Sequence, residues 1–191
     1  MYRNSIFIAA LALAAPLMTL AADVTPPAVP DIIAVPQASK AFEIVHAVGT
    51  QGYVCLPSGT AAKWVLFGPQ ATLFDGEGEQ VMTHFLSPNP LESNTPRATW
   101  QHSSRTSAVW AVKEEESDDA AFVEPGAIKW FRLRVVGYQA GSVANDPLQK
   151  TTFIHRVNTS GGAAPAAECN AVEHVGRTKL VQYTADYVFY R

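Results

Sequence analysis

Val181, Tyr183, Ala185, Tyr187 and Phe189 alternate with Gln182, Thr184 and Asp186 almost to the last residue. A period of two sends successive side chains to opposite faces, so this segment predicts a half-buried strand. Such a strand commits the chain to a sheet, and the rest of the sequence supplies partners for it. "AFEIVHAVGTQGYVCL" alternates, with Phe42, Ile44, His46 and Val48 on one side, then Tyr53 to Leu56 after a glycine-containing turn. "KWVLFGPQATLF" is apolar and stops at "DGEGE", a turn built on Asp75, Gly76 and Gly78. "QVMTHFL" follows, and "ATWQH" and "SAVWAV" read as a strand pair flanking the polar "SSRTS". In "AIKWFRLRVVGY", Phe131, Leu133 and Val135 stand opposite Arg132 and Arg134.

Between these runs, "PNPLESNTP" predicts a loop because its prolines interrupt any regular element. The acidic "KEEESDDAAFVEPG" predicts a solvated loop, since it lacks the spaced ligands and central glycine of a calcium loop. The best helix candidate is "AAPAAECNAVEHVG", confined by Pro165 and Gly176 to a few turns. The expectation is an all-β protein: a single antiparallel β-sandwich or flattened barrel of about eight strands, with at most one or two short helices.

The N-terminal segment predicts a compartment. Arg3 forms a short basic start, "IFIAALALAAPLMTLAA" is an apolar stretch, and Ala21 and Ala22 precede Asp23. That is the plan of a signal peptide over residues 1–22, cleaved after Ala21 or Ala22, and the run is too short for a membrane anchor. Residues 23–40, with their prolines, read as an extended leader, and residues 41–191 as a single β-domain. A secreted or periplasmic protein is therefore expected, not an integral membrane protein. The chain has 14 basic against 17 acidic residues and a net charge of −3. Without a basic stripe, nucleic acid is not expected as a partner. Cys55 and Cys169 are the only two cysteines. In an oxidising compartment they are expected to pair with each other.

Complete chemical motifs are scarce. The five histidines, His46, His84, His102, His155 and His174, show no local metal-binding spacing. His46 and His155 lie in strand-like stretches beside apolar neighbours, which predicts core or subsurface positions. A spatial site of His84, His102 and His155 stays open, but no metal ligand and no cofactor is assigned. Ser160 in "NTSGG" follows His46 and Asp75 in the chain order of trypsin-like serine proteases, yet order alone carries little because geometry decides. The structural alternative is a strand leaving its sheet at Gly161-Gly162. These glycines lack the downstream Lys-Ser/Thr of a phosphate loop. Asn158-Thr159-Ser160 is a glycosylation sequon. Of Trp64, Trp100, Trp110 and Trp130, most are expected in the core. Trp100 and Trp110, beside polar loop sequence, are the two expected to be partly exposed. His155 and Arg156, adjacent in a strand, should point to opposite faces.

The sequence also resembles a family of secreted bacterial and fungal proteins, domain of unknown function 3455. The resemblance rests on "YVC" ending at Cys55, "WVLFGPQATL" from Trp64, His84, "ATWQ" at Trp100, "PGAIKW" from Pro125 to Trp130, "TTFIHRVNTSGGAAP" with Cys169, and "YTADYVFY". Family members commonly carry Gly-Pro-Thr before the second tryptophan and Asp-Gly-Ser after it, whereas Trp100 here stands between "NTPRA" and "QHSSRTS". The resemblance implies export and a single domain, and implies no activity. The functional expectation is a non-catalytic extracellular binding or surface module with a glycan or cell-envelope partner. His84, Trp100, Trp110, His155 and Arg156 are its candidate ligand-binding residues, and no catalytic residue is assigned. The alternative is a small extracytoplasmic enzyme or metal-binding protein using His84 and His155.

Overall fold

The computed structural model describes residues 24–191. The proposed signal peptide and its cleavage point lie outside the described residues. Eight antiparallel strands follow one another: β1 (Ala41–Ser58), β2 (Ala61–Phe74), β3 (Gln80–Asn89), β4 (Thr95–His102), β5 (Ala108–Ser117), β6 (Trp130–Gln139), β7 (Phe153–Gly161) and β8 (Thr178–Tyr190). Each pairs with the next, and β1 also pairs with β8 along nearly its whole length, so the sheet closes on itself as a barrel. Closure gives every strand two neighbours, and eight strands enclose a space that side chains can fill or that can hold one small ligand.

The interior follows the alternation of the strands. Tyr183, Ala185, Tyr187 and Phe189 of β8 face inward, as their period predicts. They meet Val45 and Ala47 of β1, Leu73 of β2, Met82 of β3, Trp100 of β4, Val109 of β5, Leu133 of β6 and Ile154 of β7. In the first half of β1 the buried positions are thus Val45 and Ala47, while His46 and Val48 are exposed. The subsurface position expected for His46 is corrected: its side chain is 54% exposed, and Nδ1 lies 2.6 Å from Asp186 across the β1–β8 ladder. Outward-facing positions on β5 and β6 carry ion pairs, such as Glu114 with Arg132 and Arg134. No helix among the described residues is long and apolar enough to cross a membrane.

A second apolar cluster lies on the outside of the wall. Ile33, Val123, Trp130, Val157, Val188 and Tyr190 are buried together there, with Val29 and Val35 packed against them. The leader is therefore a folded strap in this stretch: Ile33 ends a single 3₁₀ turn, Asp31–Ile33, and has no solvent exposure. His155 fastens the strap. Its Nε2–H donates to the Ile33 carbonyl at 2.8 Å, and its Nδ1 accepts from the Tyr190 hydroxyl at 3.0 Å. A neutral imidazole satisfies both contacts at once.

Local details depart from the sequence in three places. The stretch offered as a helix holds only a 3₁₀ turn, Val172–His174, because Pro165 and Gly176 leave no room and Cys169 is tied elsewhere. In the predicted proline loop, Pro88 and Pro96 instead pair with each other across β3 and β4. Neither breaks a ladder: β2 pairs with β3 only as far as Phe85, and β5 meets β4 only from Ala98, so the missing N–H groups face open sides. The acidic run is strand through Ser117, after which Phe122 and Val123 fold onto the outer cluster. Gly161 and Gly162 do end β7 as expected, with φ of 66° and 82°, a conformation that favours glycine.

Candidate functional site

Inside the barrel the strand register collects polar tips that the apolar walls do not explain. His84 on β3 stands opposite Trp100 on β4, Arg156 on β7 opposite Tyr187 on β8, and Phe131 on β6 opposite Arg156. Gln51 and Tyr53 reach the same region from β1, and Tyr183 from β8. Gln51, His84, Trp100, Phe131, Arg156 and Tyr187 border a cavity of about 210 Å³ whose walls include Leu66, Pro69, Leu86, Ala98 and Leu133. A second hollow of about 330 Å³, towards Lys129 and Ala163, shares Gln51, Leu66, Phe131 and Arg156 with the first. Arg156 stands where the two meet.

Arg156 is the unusual residue. It is buried, and its Nε–H and Nη2–H both donate to the Lys129 carbonyl, at 3.1 and 2.7 Å. The Phe131 ring centroid lies 3.8 Å from its guanidinium carbon, a cation–π contact. No carboxylate pairs with it among the described residues. Burial lowers its pKa from the usual arginine value, while the Tyr187 and Tyr183 phenols beside it oppose that fall. An arginine stays charged in such a site, and a buried cation without a counter-anion is costly.

Around it stand further unused donors. Gln51 Nε2 and Trp100 Nε1 are buried with no hydrogen-bond partner. Tyr53 is committed, donating to the Gly162 carbonyl at 2.8 Å, and the Tyr183 and Tyr187 hydroxyls lie 3.4 Å apart. Burial raises the pKa of both Tyr183 and Tyr187, so both remain phenols.

His84 supplies the opposite kind of group. Its ring stacks on Trp100 with centroids 4.2 Å apart and an angle of 15°. Its Nδ1 lies 2.8 Å from the Thr99 carbonyl, which can only accept, so Nδ1 carries the proton and Nε2 a lone pair. Burial pushes its pKa down to about 3, against the Thr99 hydrogen bond and together with the Arg156 charge. Nε2 has no protein partner among the described residues.

These shifts have a sign. A base whose pKa falls on folding stabilises the folded state above its ordinary value, near 6.5, and loses that contribution as pH falls. His84 loses it down to about 3, and His155, which burial lowers to about 4, behaves alike. Glu43, raised by burial to about 7, acts oppositely: its contribution is present below its ordinary 4.5 and fades as pH rises through 7. Below 4.5 only the histidines of these three still change, so stability should fall there. In nitrogen-labelled protein the His84 ring should keep its Nδ1–H tautomer, without titrating, between about pH 5 and 8. A His84 titration near 6.5 would contradict the burial.

A family model described as a protein of unknown function (DUF3455) matches residues 36–191, which span every strand of the barrel. The chain belongs to the DUF3455 family. No curated protein and no solved structure matches it significantly. The family name assigns no chemistry, so the geometry of this DUF3455 member has to carry the functional argument.

The five residues singled out in the sequence divide. His84, Trp100 and Arg156 converge inside the barrel. His155 does not join them, since it faces the outer cluster while Arg156 faces inward, the opposition expected of strand neighbours. Trp110 also stays apart, donating its indole N–H to Ser87 at 2.9 Å. The partial exposure expected of Trp100 and Trp110 is corrected: Trp100 is 0% exposed and Trp110 6%, because both strands carrying them run through the closed wall.

Nor do the histidines form a metal site. His84 bonds Thr99, His155 bonds Ile33, and His102 Nδ1 accepts the Ser104 and Arg105 N–H groups of its own turn. Among the described residues no group of three or more His, Cys, Asp or Glu side chains is placed to hold a metal ion. The serine-protease order dissolves as well. Asp75 caps its own turn at Glu77 and Glu79, His46 takes Asp186, and Ser160 is exposed opposite Thr184. Asn158 of the sequon is exposed and donates to Asp186 at 2.8 Å. Sequence reasoning missed Gln51, Phe131, Tyr183 and Tyr187. The tyrosines lay in plain view on the inward side of the β8 alternation, where hydroxyl tips mark a polar interior.

Proposed function

We propose that this DUF3455 protein is an exported binding module that takes up a small organic anion inside its barrel. The observation that carries the reading is Arg156, a buried guanidinium beside a cavity, with no carboxylate partner among the described residues. A bound carboxylate would complete the missing ion pair and accept from donors that otherwise have none, Gln51 Nε2 and Trp100 Nε1. Apolar walls with a few convergent polar groups are the usual make-up of a small-molecule site. Export is supported by the sequence of residues 1–22 and by the Cys55–Cys169 disulfide, a bond of oxidising compartments. A glycan gripped on the surface by Trp100 loses its basis, because that ring is enclosed.

The test is a titration followed by NMR or calorimetry, with benzoate as probe and benzamide as its neutral counterpart. Benzoate should bind and perturb Trp100 and Arg156 signals, and benzamide should not. In Arg156→Gln, benzoate binding should weaken at least tenfold, the loss of a charge-assisted contact being about 1.5–3 kcal/mol. Equal binding of acid and amide, or an unchanged Arg156→Gln, would overturn the proposal.

A further inference from the structure

The cavity is not uniformly a donor surface. His84, which lines the same cavity as Arg156, supplies an acceptor: the Nε2 lone pair, held in place because Nδ1–H is spent on the Thr99 carbonyl and the ring is stacked on Trp100. Leu66, Pro69, Leu86, Ala98 and Leu133 give the cavity an apolar wall, and its two other cations, Arg97 and Lys113, are already paired with Glu92 and Glu116. A ligand that uses these groups needs three parts: an anion for Arg156, a hydrogen-bond donor for His84, and an apolar body for the wall.

We infer that the ligand is a hydroxyaryl carboxylate, its carboxylate on Arg156 and its phenolic hydroxyl donating to His84 Nε2. This rests on the reading of the interior as an anion site. The apolar wall excludes a polyhydroxylated sugar acid, whose ring hydroxyls would lose water without finding partners, and it favours a flat hydrocarbon ring. His84 acts here as a recognition residue, and its neutral, singly oriented ring makes the site selective for a donor over an acceptor.

The experiment compares benzoate, 3-hydroxybenzoate, 4-hydroxybenzoate, 4-methoxybenzoate and galacturonate on the whole protein. One hydroxybenzoate should bind roughly three- to tenfold tighter than benzoate, the size of one neutral hydrogen bond. Methylation of that hydroxyl should abolish the gain, and galacturonate should bind more weakly than benzoate. In His84→Phe, which keeps a flat ring on Trp100, the ratio of hydroxybenzoate to benzoate affinity should fall to about one, whatever the affinity for benzoate itself. The wild-type protein gives an independent readout: the His84 Nε2 resonance should move on adding the hydroxybenzoate and stay with benzoate. If benzoate binds but neither hydroxyl helps, or the gain survives in His84→Phe with Nε2 unmoved, this inference fails and the anion site stands. If no carboxylate binds, both fall.

Discussion

Trp100→Ala should destabilise the fold by ~3–5 kcal/mol, the usual cost of emptying a fully enclosed aromatic position. The ring has no solvent exposure and sits where β3, β4 and β8 face one another. His84 stacks on one face of it, and Tyr187 and Phe189 meet it edge-on, with centroids 5.3 and 6.3 Å away. Removal would leave a void that a closed barrel cannot collapse, because each strand is held by two neighbours. The void would also loosen His84, so the variant should lose ligand selectivity along with stability. Urea unfolding followed by circular dichroism measures the cost, and a loss below about 1 kcal/mol, typical of a surface change, would contradict the enclosed position.

Removing the disulfide should cost a similar amount by a different route. Cys55 and Cys169 are bonded, 114 positions apart in sequence. Closing a loop that long lowers the entropy of the unfolded chain by ~4–5 kcal/mol in the chain-entropy description. Folded-state contacts add little to that figure, since the surrounding cluster is small: Ala62 and Trp64 pack beside the sulfurs. Backbone bonds also hold the segment, Cys55 N–H to Arg177 at 2.8 Å and Gly176 N–H to the Cys55 carbonyl at 2.9 Å. The Cys55→Ala/Cys169→Ala double variant should therefore fold to the same barrel at markedly lower stability. An unchanged unfolding midpoint would show that the bond does not restrain the unfolded chain.

Much of this architecture was legible in the linear pattern. The β8 alternation named the residues that line the interior, Tyr183, Ala185, Tyr187 and Phe189. The cysteine count named the disulfide, and the opposition of His155 and Arg156 followed from strand geometry alone. The candidate site was half legible: His84, Trp100 and Arg156 were picked out, yet Trp100 was placed at the surface. The polar "QHSSRTS" beside it suggested solvent, whereas those residues cap the strand end, with His102 accepting the Ser104 and Arg105 N–H groups. The strap was missed because prolines erase periodicity, and Ile33 is buried by a surface that exists only once β6, β7 and β8 are assembled.

Local chemistry by itself determined that this chain forms antiparallel strands, where most of them turn, and which cysteines join, because those depend on side-chain period, turn residues and covalent partners. Tertiary structure alone decided that the sheet closes through β1 and β8 into a barrel and which parity of β1 faces in. It also decided that an arginine with no carboxylate partner among the described residues, a stacked histidine and two unpaired donors share one cavity. Those outcomes depend on register across strands distant in sequence, which no local pattern encodes.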